Sequence, residues 1–199
     1  RPDELPEAVS PKIIQLTSAM GSEGKSFSSI NLAASIALGG AKTIVVGLDL
    51  RKPKLAEYFG FPNTVGVSSI LAGLNTFENA RFQTDIENLD VLVAGPIPPN
   101  PSELLMSQGL MDLLTNLTKD YDQVVLDTPP IGLVTDSLII SEHAATTIYV
   151  VRQGVSHLSS LSYINDLYDS EKIKNVSVLY NDVTSRYGYG YGYGYGYYA

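Results

Sequence analysis

The sequence has no cysteine and only two histidines, His143 and His157. The first absence excludes a disulfide framework and a thiolate metal site and fits a reducing compartment, and two histidines are too few for a histidine-rich site. Cations are also scarce. Thirteen Lys and Arg stand against 21 Asp and Glu, a formal net charge of −8. Binding to a nucleic-acid backbone relies on clustered cations, so nucleic acid is not an expected partner. No run approaches the roughly 18 consecutive apolar residues of a membrane span, so the chain as given is expected to be soluble. It opens on Arg1-Pro2-Asp3 with no initiator Met and no signal peptide, as expected of a fragment whose membrane anchor, if any, lies outside it.

What is present suits one well-buried α/β domain: 44% hydrophobic and 17% charged residues in a chain of 199. Residues 1–11 carry three prolines and several acids and read as an arm or linker. From 12 to 186, short β-branched runs alternate with helical patterns. Strands are expected at 12–17, 43–48, 89–93, 123–126, 146–151 and 176–179. One helix is expected where Ile30, Ala33, Ala34, Ala37 and Leu38 recur at helical spacing before Gly39-Gly40. Another is expected to open at Asn100-Pro101-Ser102-Glu103, with Asn as N-cap and Pro at the first position. Leu110, Leu113, Leu114 and Leu117 are its buried stripe. This alternation implies right-handed βαβ units and a mostly parallel sheet with helices on both faces, with ligands at the carboxyl ends of the strands.

The chemistry-bearing residues fall at those ends. Ala19-Met20-Gly21-Ser22-Glu23-Gly24-Lys25-Ser26 follows the first expected strand and fits the phosphate-loop pattern G-x-x-x-x-G-K-[ST] except at Ala19. Backbone N–H groups of such a loop converge on phosphate oxygens, Lys25 reaches the β and γ phosphates, and Ser26 ligates Mg²⁺. The plainer reading is a Gly-Ser turn that opens a helix. Val124-Val125-Leu126-Asp127 ends an apolar strand on an acid, as a Walker B motif does, although an Asp there also serves as a simple turn former. Gly47-Leu48-Asp49-Leu50-Arg51-Lys52-Pro53 puts Asp49 at the same sheet edge, where a solvated charge cluster is the alternative.

Taken together, Thr17-Ser18, Glu23-Gly24-Lys25-Ser26, Asp49-Leu50-Arg51-Lys52-Pro53 and Asp127-Thr128-Pro129-Pro130 with Thr135-Asp136 resemble the bacterial tyrosine kinase family. These are P-loop proteins related to the partition and septum-placement ATPases. Asn100-Pro101-Ser102-Glu103-Leu104-Leu105, Val150-Val151-Arg152-Gln153-Gly154 and Leu179-Tyr180-Asn181-Asp182-Val183 extend the resemblance from about Lys12 to the C-terminus. It implies a P-loop NTPase-like kinase domain over 12–186 that uses ATP and Mg²⁺. By the same resemblance Lys25, Asp49 and Asp127 are catalytic, and Ser26, Asp49 and Asp127 hold the metal. Gly21, Ser22, Glu23, Gly24, Lys25, Ser26 and Phe27 wrap the nucleotide, with Asn181 at the adenine.

Three departures stand out. Gly21-Ser22 replaces the family's Pro-Gly, and Gly47 replaces the first acid of its Asp-x-Asp pair. The Glu- and Arg-bearing helix that precedes the first strand in relatives and builds their ring is not found in 1–11.

In the tail, 187–199, tyrosine and glycine alternate: Tyr187, Tyr189, Tyr191, Tyr193, Tyr195, Tyr197 and Tyr198. Such a Gly-rich segment buries too little to fold, and its thirteen residues span up to roughly 43 Å when extended. Beside a phosphate loop it reads as an autophosphorylation substrate offered to a neighbouring subunit; alone it reads as an adhesive strand. The resemblance further implies a homo-oligomeric ring, a membrane activator segment or protein, and a role in polysaccharide synthesis or export at the cytoplasmic face of the bacterial inner membrane. A switch ATPase of the partition type, and a non-catalytic binding module, remain the rival readings of the same motifs.

Overall fold

All six apolar runs form strands in the computed structural model, which describes residues 12–184. The arm 1–11 and the tail 187–199 lie outside the described residues. In chain order the elements are β1 (Ile13–Ser18), α1 (Lys25–Leu38), β2 (Thr43–Gly47), α2 (Leu55–Phe59), α3 (Val67–Leu71), α4 (Phe77–Ala80), β3 (Arg81–Gln83), β4 (Leu89–Leu92), α5 (Pro101–Leu105), α6 (Gln108–Asp120), β5 (Gln123–Asp127), α7 (Asp136–Ser141), β6 (Thr146–Arg152), α8 (Ser159–Asp169) and β7 (Val176–Asn181). One sheet runs β3-β4-β2-β5-β1-β6-β7, with every neighbouring pair parallel except β3 with β4.

The central strands are buried at almost every position because both faces of the sheet are covered. On one face Ile44, Val46, Leu92, Val124 and Leu126 meet Leu110, Leu113, Leu114 and Leu117 of α6. On the other, Leu16, Val45, Val91, Val125 and Val150 meet Ala33 and Ala37 of α1. The buried stripe of α1 is built from small residues, Ser29, Ala33 and Ala37, so the helix lies close on β1 and β5. That closeness brings its first turn down onto the strand ends.

Two expectations are corrected. The single helix expected from Asn100 is two, α5 and α6, broken at Met106 and Ser107. Continuing the stripe of Leu110, Leu113 and Leu114 backwards by three or four residues lands on Ser107 and Met106 and misses Leu105. Leu105 is nevertheless buried in the same cluster, and Met106 is exposed. A straight helix cannot bury both Leu105 and Leu110 there, so Ser107 turns extended and its hydroxyl donates back to the Leu104 carbonyl at 2.6 Å. The second correction is β3, an antiparallel edge strand of three residues that is too short for a periodic signal. It is held by stacking of Phe82 on Phe61 at 4.5 Å between centroids.

Leu16 is fully buried between both sheet neighbours, whereas Leu38 is 74% exposed. Leu16→Ala is expected to cost about 2–5 kcal/mol of unfolding free energy. Leu38→Ala is expected to change it by about 0.5 kcal/mol or less. Urea denaturation with an unchanged m-value checks both.

Candidate active site

β1, β5 and β2 end side by side, with Asp127 in register with Leu16 on one neighbour and Gly47 on the other. The loop 19–24 leaves β1 and turns into α1 through two left-handed residues, Ser22 at φ 67° and Gly24 at φ 94°. Gly24 meets a double requirement: the positive φ, and a Cβ built there would sit 2.1 Å from Asn181 Nδ2.

The loop is gripped from the β6–β7 side. Arg152 Nη1 donates to the Ser22 carbonyl at 2.8 Å, and Asn181 Nδ2 donates to the Glu23 carbonyl at 3.0 Å. Arg152 is itself oriented by Asp182, 3.0 Å from its Nε. Because a trans peptide carries its C=O and N–H on opposite sides, these two bonds turn the N–H groups of Glu23 and Gly24 away from Arg152 and Asn181. The Glu23 side chain is buried and faces inward: its carboxylate accepts from the Met20 amide at 2.7 Å and from the Ser156 hydroxyl. Glu23 therefore shapes the loop through its side chain and offers a ligand only its backbone.

Below the loop lie two charges. Lys25, 8% exposed, has its pKa lowered by burial, and the fields of Asp127, Asp49 and Glu23 oppose this without cancelling it. Asp127 is pushed up to about 6 by burial; hydrogen bonding from Ser26 and the Lys25 charge pull it down, and the Asp49 charge raises it. Asp49 is half-buried at the end of the β2 loop, its Oδ1 accepting from the Lys52 amide at 2.9 Å and the Arg51 amide at 3.3 Å. Gly47 has a packing reason. A Cβ there would lie 3.1 Å from the Ala94 nitrogen and 3.3 Å from Leu55 Cδ1, so an acid at this position requires its neighbours to shift.

A cleft of about 850 Å³ gathers this end of the sheet. Gly21, Ser22, Gly24, Lys25, Ser26 and Asp49 line it. Asp127 is buried beside Lys25 and Ser26. Phe27 is 53% exposed and does not line the cleft, and Asn181 spends its amide on Glu23. The tail tyrosines lie outside the described residues. Sequence reasoning gave no role to Asp136, which is 1% exposed and holds Arg51 at 2.8 Å, with Ser102 bonded to both. Burial raises Asp136, but its bonds to Arg51 and Ser102 outweigh this and hold it below the usual carboxylate range. The pair, buried at its Asp136 end only, ties the Asp49 loop to the starts of α5 and α7. A clue was present in Asp136 and the Asn-Pro-Ser-Glu run, both parts of the resemblance.

The residues fit a metal–polyphosphate. A buried cation, the N-terminus of α1 and turned loop amides all favour an anion. Ser26, Asp49 and Asp127 supply few protein oxygens, as suits Mg²⁺, which takes its remaining ligands from water and phosphate. Among the described residues no cluster of three or more His, Cys, Asp or Glu offers an all-protein metal cage.

Comparison with known proteins agrees with this geometry. A family model described as an AAA domain matches residues 11–178. The tyrosine-protein kinase Wzc of Salmonella typhimurium is 38% identical over 174 residues, covering 87% of this chain and 24% of the relative. The tyrosine-protein kinase YwqD of Bacillus subtilis is 36% identical, covering 85% of this chain and 72% of its own length. The kinase domain of the Escherichia coli tyrosine kinase ETK superposes with a TM-score of 0.80 at 31% identity, covering 94% of this chain and 74% of that one. The chain belongs to the bacterial P-loop tyrosine-protein kinase family. It spans about a quarter of the length of the Salmonella relative.

Arg152→Ala and Asn181→Ala are each expected to weaken ADP and ATP binding about tenfold, the loss of one well-placed bond to a loop carbonyl. Adenosine binding is expected to be unchanged, since only the phosphates meet the loop. Equal weakening of adenosine in equilibrium titrations would show instead that these side chains touch the base.

The raised pKa of Asp127 predicts a pH dependence of the nucleotide-free protein. Between about pH 4 and pH 6 the folded state keeps a proton that the unfolded state has lost. Stability should therefore fall as pH rises through that window, by on the order of 3 kcal/mol from this group, and then level off. Denaturation of Asp127→Asn should lack the fall.

Proposed function

We propose that this chain is the catalytic domain of an ATP- and Mg²⁺-dependent protein-tyrosine kinase that phosphorylates Tyr187, Tyr189, Tyr191, Tyr193, Tyr195, Tyr197 and Tyr198 of a neighbouring copy. The observation that carries this is the phosphate loop and two carboxylates gathered at one cleft, on a chain of this family that ends in clustered tyrosines.

The chain's own groups divide the work. Loop amides of Gly21, Ser22, Glu23 and Gly24 and the Lys25 ammonium hold the phosphates and the charge that spreads over the γ-phosphoryl oxygens during transfer. A phenol with pKa about 10 is a poor nucleophile at neutral pH. Asp49 orients it: with Oδ1 engaged by two backbone amides, its other oxygen accepts the phenolic proton as the oxygen attacks phosphorus in line. The new P–O bond forms as the bond to the bridging oxygen of ADP breaks. Mg²⁺ would be held by Ser26, Asp127 and, through a water, Asp49, and would supply charge that neutralises the phosphates.

The resemblance supports placing the parent protein at the cytoplasmic face of the bacterial inner membrane, in polysaccharide synthesis or export. A membrane segment, fused or separate, would activate it, and a homo-oligomeric ring would bring one tail to the next site. None of the described helices is long and apolar enough to cross a membrane.

The test is phosphotyrosine mapping by mass spectrometry after incubation with Mg²⁺ and ATP, with the activator segment supplied. Phosphate is expected on residues 187–198 of the parent and not of Lys25→Met. Asp49→Asn should lower tail phosphorylation about 100-fold or more while ATP affinity changes little. ATP hydrolysis without any phosphotyrosine would instead mark a switch ATPase.

A further inference from the structure

The cleft extends past its phosphate end, and its walls there are unlike a phosphate site. One wall comes from α2 and the residues before it, with Lys54, Glu57 and Tyr58. The other follows β5, with Pro129, Pro130, Leu133 and Val134. Tyr58 and Leu133 are large, apolar and more than half exposed, at 57% and 54%. Burial in a core does not explain them.

The position of these walls says which end of a nucleotide they meet. In the sheet, β2 and β5 lie on one side of β1, and β6 and β7 on the other. The metal-binding carboxylates and the loop lysine mark the γ-phosphate end of a bound nucleotide, and both carboxylates belong to the β2–β5 side. Walls carried beyond β2 and β5 therefore stand past the γ-phosphate, where an acceptor must enter.

The β5 wall is built firmly. Thr17 Oγ1 donates to the Pro129 carbonyl at 2.9 Å, and the Ile131 amide donates to the Ser18 carbonyl at 2.8 Å. Gly132 packs so closely that a Cβ would lie 2.5 Å from the Ala19 carbonyl oxygen, so the segment that carries Leu133 and Val134 runs beside the phosphate loop. The opposite wall is tied down by the Arg51–Asp136 pair. On the same wall Lys54 is paired with Glu57 at 2.7 Å, so these two charges offset one another, while Lys52 adds one cation to the lining.

We propose that this half of the cleft is an acceptor subsite that takes the phenol ring of an extended Tyr-Gly peptide between Tyr58 and the Pro130, Leu133 and Val134 wall, and so delivers its hydroxyl to Asp49. The proposal rests on the kinase reading and adds the basis of its choice of acceptor. A tyrosine ring fills both walls, while a serine or threonine side chain leaves them wet. Glycines flanking the ring bring no side chain to collide with either wall. The alternation of residues 187–198 then matches the shape of the subsite as well as supplying hydroxyls.

The experiment follows phosphorylation of a synthetic peptide of residues 187–198 by the full chain with the activator segment supplied, with Leu133→Ser and Tyr58→Ala as variants at exposed positions. Each variant is expected to raise the peptide KM about tenfold or more, with kcat at saturating peptide and the ATP KM within about twofold of the parent. The same peptide with phenylalanine at every tyrosine should compete with it against the parent and lose potency by a similar factor against the variants. Unchanged peptide KM in both variants with an active parent overturns the subsite alone. A rise in the ATP KM instead of the peptide KM also overturns it, because the walls would then hold the base. A parent that hydrolyses ATP but phosphorylates no peptide overturns the kinase reading and the subsite with it.

Discussion

Two opposite charges kept from water at the floor of the cleft set the terms for the rest of the molecule. Lys25 and Asp127 are buried where two helix-covered strands end, and burial disfavours the charged form of each. Neither is relieved by a direct ion pair with the other, and the N-terminus of α1 adds further positive potential beside the lysine. The arrangement is stable only because the surrounding fold is strong enough to impose it: a seven-stranded sheet packed on both faces, with a helix of small residues pressed against it. A site tensioned in this way suits an anion and a divalent cation together, which is the composition of a metal–nucleotide.

The loop above these charges is held by the ends of strands on either side of β1. From β6 and β7 come Arg152 and Asn181, each drawing one loop carbonyl outward. From the segment that follows β5 come Ile131 and Gly132, packed against Ser18 and Ala19. The ion pair of Arg152 with Asp182 is partly exposed and on its own contributes little. Its value is in aiming a guanidinium at one carbonyl, and through a rigid peptide plane at one amide.

The strands and the phosphate loop were legible in the sequence because their signals are local: β-branched runs, glycine spacing, and an acid at a strand end. What was hidden depends on tertiary proximity. Asp136 meets Arg51 across 85 residues and Ser156 meets Glu23 across 133, and no periodicity announces such pairs. Glu23 read as one more phosphate-wrapping residue, yet its side chain is a structural brace. Asn181 was expected at the adenine by resemblance, and that its amide holds the Glu23 carbonyl was not foreseen. The break between α5 and α6 was missed because Leu105 falls one position off a stripe that otherwise reads as continuous. Gly47, an anomaly in the motif, has a steric explanation only once Ala94 and Leu55 are seen against it.

The root of the tyrosine-rich segment is joined to this machinery. Thr184 and Gln153 exchange two bonds, amide to Oε1 at 2.7 Å and Nε2 to carbonyl at 3.3 Å, so a side-chain amide continues the pairing of β6 with β7 beyond the last strand residues. One residue before Gln153 and two before Thr184 stand the partners that steer the loop, Arg152 and Asp182. Removal of the tyrosines with a cut after Thr184 spares every contact among the described residues that shapes the nucleotide end. A cut only three residues earlier takes Asp182 with it and slackens the loop, so that a tail-less protein made that way would be misread as one that needs its tail to bind ATP.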